Sequence, residues 1–77
     1  VFDRKTRLLL MLGVLNYAFG DARTIALNLK DFIASHPDMK DEFEEFDFIK
    51  LLDMVSDLER EIDGVMAKIK KEIERKE

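Results

Sequence analysis

Residues 7–21 read RLLLMLGVLNYAFGD, and from Leu8 to Phe19 only Gly13 and Asn16 interrupt the apolar run. An ordinary surface helix carries one apolar stripe and one polar face. This segment has almost no polar face to offer water. Its residues sort at helical spacing into two apolar stripes. Leu8, Met11, Leu12, Leu15 and Phe19 form one, and Leu10, Val14 and Tyr17 form the other. Between them Leu9, Gly13, Asn16 and Gly20 fall on one line. A glycine there lets another backbone approach, at about 1 kcal/mol of helix propensity relative to alanine. The spacing predicts a helix contacted on two sides.

Working outward, Asp3 suits the cap of this first helix, which is expected over residues 4–19. Gly20-Asp21 reads as punctuation, with Gly just past one helix end and Asp capping the next. A second helix is then expected over 22–34, its stripe formed by Ala22, Ile25, Ala26, Leu29, Phe32 and Ile33. A two-residue connection would fold it back antiparallel on the first. Ser35-His36-Pro37-Asp38 is the next break: Pro37 disfavours helical geometry at His36, and Ser35 with Asp38 resembles a capping box.

Beyond this point the character changes. Residues 1–36 carry five basic and three acidic residues, and residues 37–77 carry eight and fourteen. Six of the ten residues in DMKDEFEEFD (38–47) are acidic, while Met39, Phe43 and Phe46 share a face, predicting a short acidic helix over 38–46. From Phe48 a heptad fits: Phe48, Val55, Ile62 and Ile69 at one position, Leu51, Leu58 and Val65 at the other, with Leu52, Met66 and Ile73 widening the stripe. Extended backward, it would put Asp41 and Glu44 on the seam, so a break is expected near Asp47, which would cap a long helix over 48–76. That helix would measure about 43 Å against about 20–24 Å for each of the first two. Ile62, Val65, Met66, Ile69 and Ile73 would then have no cover within the chain, which points to a second copy. The alternative is a turn at Gly64 and a compact four-helix bundle. The stripe passes Gly64 in phase, favouring the continuous helix.

Composition narrows the classes. Seventy-seven residues make one small domain with a thin core. With no cysteine and one histidine, disulfides, thiolate metal sites and a histidine-rich metal site within one chain are excluded. The high Glu and Lys content with little Asn and no Gln leans toward a heat-adapted intracellular protein. The apolar run falls short of the about 20 residues a membrane helix needs, and it lacks a signal-peptide cleavage site. A cytoplasmic protein is expected. Starting at Val1 rather than Met, it is expected to be processed or cut from a longer protein.

The chemistry-bearing residues are sparse. His36 sits beside Pro37 in a turn, and the serines, Ser35 and Ser56, have no histidine spaced to activate them. Asp38, Asp41, Glu42 and Glu45 share a helical face. Carboxylates on facing helices would suit Mg²⁺, as in the all-helical nucleotide pyrophosphohydrolases, but that design needs a second Glu-x-x-Glu/Asp motif. The candidates, Asp53 with Asp57 and Glu59 with Asp63, have the wrong spacing. A solvated acidic face, or a surface that recognises a basic partner, is the plainer reading. A helix-turn-helix outline around Arg23, Thr24, Asn28 and Lys30 conflicts with the net charge of −4, because DNA binding requires phosphate neutralisation. The KIKKEIERKE tail mixes signs as a solvated helix end does.

The sequence therefore predicts an all-α fold, an antiparallel helical hairpin packed on a long C-terminal helix, dimeric and coiled-coil-like. It is expected to act as a protein–protein interaction or oligomerisation module without catalysis or cofactors. A homodimer is the expected partner state, with another protein possible in its place, and with no nucleic acid and no membrane. Self-association is assigned to Leu9, Gly13, Ile62, Val65, Met66, Ile69 and Ile73. A metal-dependent enzyme and a small DNA-binding protein are the alternatives.

Overall fold

The computed structural model describes residues 3–75. The described residues are helical almost throughout and contain no strand, so the all-α class stands. The elements in order are α1 (Arg4–Ser35), a 3-10 turn (Pro37–Met39), α2 (Lys40–Glu45) and α3 (Phe48–Glu74).

The helical hairpin expected at Gly20-Asp21 does not form. α1 is one helix of 32 residues that runs straight through both residues. Its interior positions explain why. Leu8, Leu12, Leu15, Phe19, Ala22, Ala26, Leu29 and Ile33 alternate steps of four and three without a break. α3 keeps the same rhythm through Phe48, Leu52, Val55, Glu59, Ile62, Met66, Ile69 and Ile73. A break at Gly20 would leave half of α3 bare. Continuing the helix costs only the glycine's about 1 kcal/mol. The Thr24 hydroxyl also donates to the Gly20 carbonyl, 2.9 Å away, one turn back within the helix.

α1 and α3 lie antiparallel. Arg4 reaches Glu72 at one end (3.5 Å) and the Phe32 and Phe48 rings approach at the other (centroids 6.4 Å apart). The result is a rod of 57 × 17 × 17 Å. α3 continues through Gly64 as the sequence suggested, and it ends at Glu74. The expected end at Lys76 lies outside the described residues. The seam needs one correction: Leu52, Glu59, Met66 and Ile73 share it with Phe48, Val55, Ile62 and Ile69, whereas Leu51, Leu58 and Val65 stand beside it and are exposed.

At the start of α1, the Asp3 carboxylate accepts from the Thr6 amide at 2.8 Å, the cap the sequence called for. At its end, His36 Nδ1 donates to the Phe32 carbonyl at 3.0 Å. The Ser35–Asp38 capping box is absent: Ser35 is the last residue of α1, and the turn that follows has no side-chain cap. Pro37 instead starts a single 3-10 turn, where its missing N–H costs nothing. Phe43 of α2 closes the elbow, its ring 5.5 Å from Phe32 and 5.1 Å from Phe48. The break near Asp47 is present, but by another device. Asp47 turns the chain in the left-handed region (φ 53°, ψ 42°), and its side chain makes no capping hydrogen bond.

Candidate interaction face

Among the described residues only Ala22, Ala26, Phe43, Met66 and Ile69 are buried, and no large side chain is fully enclosed. Fourteen large apolar side chains among the described residues are exposed, too many for the scattered surface residues every protein carries. Their arrangement follows a rule. On α1, Met11, Val14, Ile25 and Phe32 each stand one residue before a seam position, and on α3 so do Leu51, Met54, Leu58 and Val65. Between antiparallel helices, positions with the same offset from the seam flank the same side of it. The two stripes therefore merge into one apolar face along the rod. Leu10 and Tyr17 extend it outward, Tyr17 being 78% and Val14 69% exposed.

The opposite side is built from the residues that follow seam positions. It is mainly polar: Asn16, Arg23 and Lys30 on α1, with Asp53, Arg60 and Lys70 on α3. Leu9, Leu27 and Ile49 are its exposed apolar members. The hairpin is thus a slab with a narrow internal seam, one mainly polar face, and one face on which most of the exposed large apolar side chains gather.

The residues assigned from sequence to self-association divide between these surfaces. Met66 and Ile69 are 5% and 6% exposed, buried under α1, and Ile62 and Ile73 are half-buried in the same seam. The cover they were expected to lack comes from the first half of α1, because α1 is long enough to reach them. Val65 does lie on the open apolar face. Leu9 and Gly13 are exposed toward the polar side, with open space around Gly13. Met11, Ile25, Leu51 and Met54 are exposed on this face and were not singled out from the sequence. The signal that would have found them is the position directly before each seam residue.

Asp38, Asp41, Glu42 and Glu45 are all exposed around the elbow. Among the described residues no cluster of His, Cys, Asp or Glu is arranged to hold a metal ion. His36 is committed to the Phe32 carbonyl and packs at a tilt against the Phe32 ring, centroids 4.6 Å apart. Ser56 lies half-buried beside the seam on α3, and Ser35 is exposed at the end of α1.

By length and composition α1 could cross a bilayer, with a mean hydropathy of 1.2 over its apolar window. The run that looked too short is lengthened once the helix passes Gly20. Two features weigh against insertion. Asp21 and Arg23 sit near the middle of α1, where a bilayer would make a charge costly, and the charged helix α3 lies along its whole length.

No family model matches the chain, and no solved structure matches it. An uncharacterized protein from Archaeoglobus fulgidus is 47% identical over 58 residues, covering 75% of this chain and 76% of that protein.

Proposed function

This chain belongs to the family of the Archaeoglobus fulgidus protein, and we propose that it works by association, a second copy covering the apolar face to give a four-helix bundle. The observation that carries this reading is the open face itself. Two measures of shape support it. The radius of gyration is 17.3 Å, against about 11.5 Å for a compact domain of this length. The surface is 6503 Å², against roughly 4,900 Å² for a compact monomer of this mass. The excess is about twice the roughly 800 Å² that a standard specific interface removes from each partner, and lies in the range of a large obligate interface.

Energetics point the same way. Most side chains of the face are already about half covered, Val14 and Tyr17 less so, and burying the remainder of each is worth on the order of 1 kcal/mol. A joint interface contains on the order of ten of them, enough to offset a cost of association of about 4–15 kcal/mol. A single hairpin with no enclosed core has little other source of stability. No step of catalysis is part of this reading, and the acidic elbow acts as a solvated surface that discourages wrong partners.

Sedimentation of the wild type from low micromolar to near-millimolar concentration tests the proposal. A dimer that dissociates on dilution is expected. Val14→Glu, at an exposed position, should yield a helical monomer, and Arg23→Glu on the polar face should leave the dimer unchanged. A wild type that remains monomeric at every concentration overturns the reading.

A further inference from the structure

The apolar face is not uniformly apolar. Among the positions that directly precede seam residues, six are charged: Arg7, Asp21, Asp47, Glu61, Lys68 and Glu72. Asp47 stands in the turn before α3, at the elbow end of the rod. Glu72 is engaged by Arg4 at 3.5 Å and Arg75 at 3.7 Å. Among the described residues, Arg7, Asp21, Glu61 and Lys68 along the rod make no ion pair, although each is exposed on the side that the association proposal would bury. Burying four unpaired charges would oppose association strongly. Their placement removes the difficulty.

Arg7 lies seven positions before Val14 and Asp21 seven after it. On α3, the midpoint of Glu61 and Lys68 falls between Gly64 and Val65. The pairing of the helices, from Arg4–Glu72 at one end to Phe32–Phe48 at the other, sets Val14 across from Gly64. Both charge pairs are therefore centred at one level of the rod. They are antisymmetric about it, basic toward the open end and acidic toward the elbow.

Resting on the association reading, we infer that two copies pair face to face about a two-fold axis lying in the interface at the level of Val14 and Val65. In that arrangement α1 runs antiparallel over α1 of the partner subunit, and α3 over its α3. Arg7 meets Asp21 of the partner subunit, and Lys68 meets Glu61 of the partner subunit. All four charges are neutralised twice over by one operation. Val14 packs on its own symmetry mate at the centre, with Leu10, Met11 and Tyr17 around it. A register centred nearer the elbow would cover more of Ile25, Leu51 and Met54. It would also bring Asp21 close to Asp21 of the partner subunit, with no cation opposite. The charges thus choose the register, and with it the partner.

Charge reversal tests this directly. Arg7→Glu with Lys68→Glu sets acid against acid in the homodimer, and Asp21→Lys with Glu61→Lys sets base against base. Each double variant should stay helical by circular dichroism and self-associate at least about tenfold more weakly than wild type. An equimolar mixture has both contacts restored and should recover a dimer of wild-type affinity. As an independent measurement, Val14→Cys should oxidise to a symmetric disulfide-linked dimer, free of interference because the chain has no other cysteine. Met54→Cys should not. A wild-type dimer indifferent to both charge reversals, or one crosslinked through Met54→Cys in preference to Val14→Cys, overturns the register while leaving association intact. A monomeric wild type overturns both.

Discussion

Gly20→Ala decides whether α1 is continuous. In the structure Gly20 sits inside a 32-residue helix, its φ is negative, and a Cβ built on it meets nothing within 4 Å. Alanine there should gain the difference in helix propensity, about 0.8–1 kcal/mol, part of it through lower entropy of the unfolded chain. For a domain of this size, 1 kcal/mol moves the melting temperature by about 4–8 °C. Thermal melts followed by circular dichroism must be run at one fixed concentration, because association would itself raise stability. Gly13→Ala is the internal control, since Gly13 is helical and open in either arrangement. Should the chain instead turn at Gly20-Asp21, Gly20 would end a helix in the left-handed region. There a Cβ costs about 1–2 kcal/mol. The two variants would then move in opposite directions. Stabilisation by Gly13→Ala together with destabilisation by Gly20→Ala would refute the single long helix.

Two other positions give smaller, signed effects. Asp47 holds a left-handed conformation without a capping bond, so Asp47→Gly should stabilise by a few tenths to about 1 kcal/mol and Asp47→Val should destabilise, read as urea midpoints at unchanged slope. The hydrogen bonds from Thr6 hold the Asp3 carboxyl below its ordinary 3.8. Because the folded value is the lower one, its contribution is present above about pH 4 and is lost as pH falls through the folded value. Asp3→Asn, which keeps an acceptor but cannot titrate, should narrow its stability gap from wild type in acid, and a gap that widens there would count against the cap.

The helix cap at Asp3, the break at Asp47 and the unbroken passage through Gly64 were all legible, because each is decided by residues within a turn or two. Gly20-Asp21 was not, because a local stop signal there competes with a distant requirement. Glycine and aspartate fit a helix junction as well as any pair, but the apolar rhythm on both sides of them stays in phase with the whole length of α3. Tertiary cover outweighs about 1 kcal/mol of propensity. The same error of scale misjudged which residues of α3 are covered. With the first helix stopped at Phe19, Ile62, Met66, Ile69 and Ile73 looked bare, and with it extended to Ser35 they are the seam. Leu51, Leu58 and Val65 went the other way, from assumed seam to open face, since a heptad reading alone does not separate a seam position from its neighbour.

The crowding of apolar residues between Leu8 and Phe19 then has a physical account. Leu8, Leu12, Leu15 and Phe19 face α3, and Leu10, Met11, Val14 and Tyr17 face outward on the adjoining side. One helix is serving two layers. α3 does so less, because most of its outward positions are charged. A face made only of leucine and valine would associate without direction, because hydrophobic burial is indifferent to which methyl meets which. Two such rods could slide by a heptad at small cost. Charges set into the face at matched distances from one level remove that freedom, since every other register leaves at least one of them dehydrated and unpaired. On the association proposal, Asp21 would stand within α1 for a reason other than ending it: it would fix where a second copy stops.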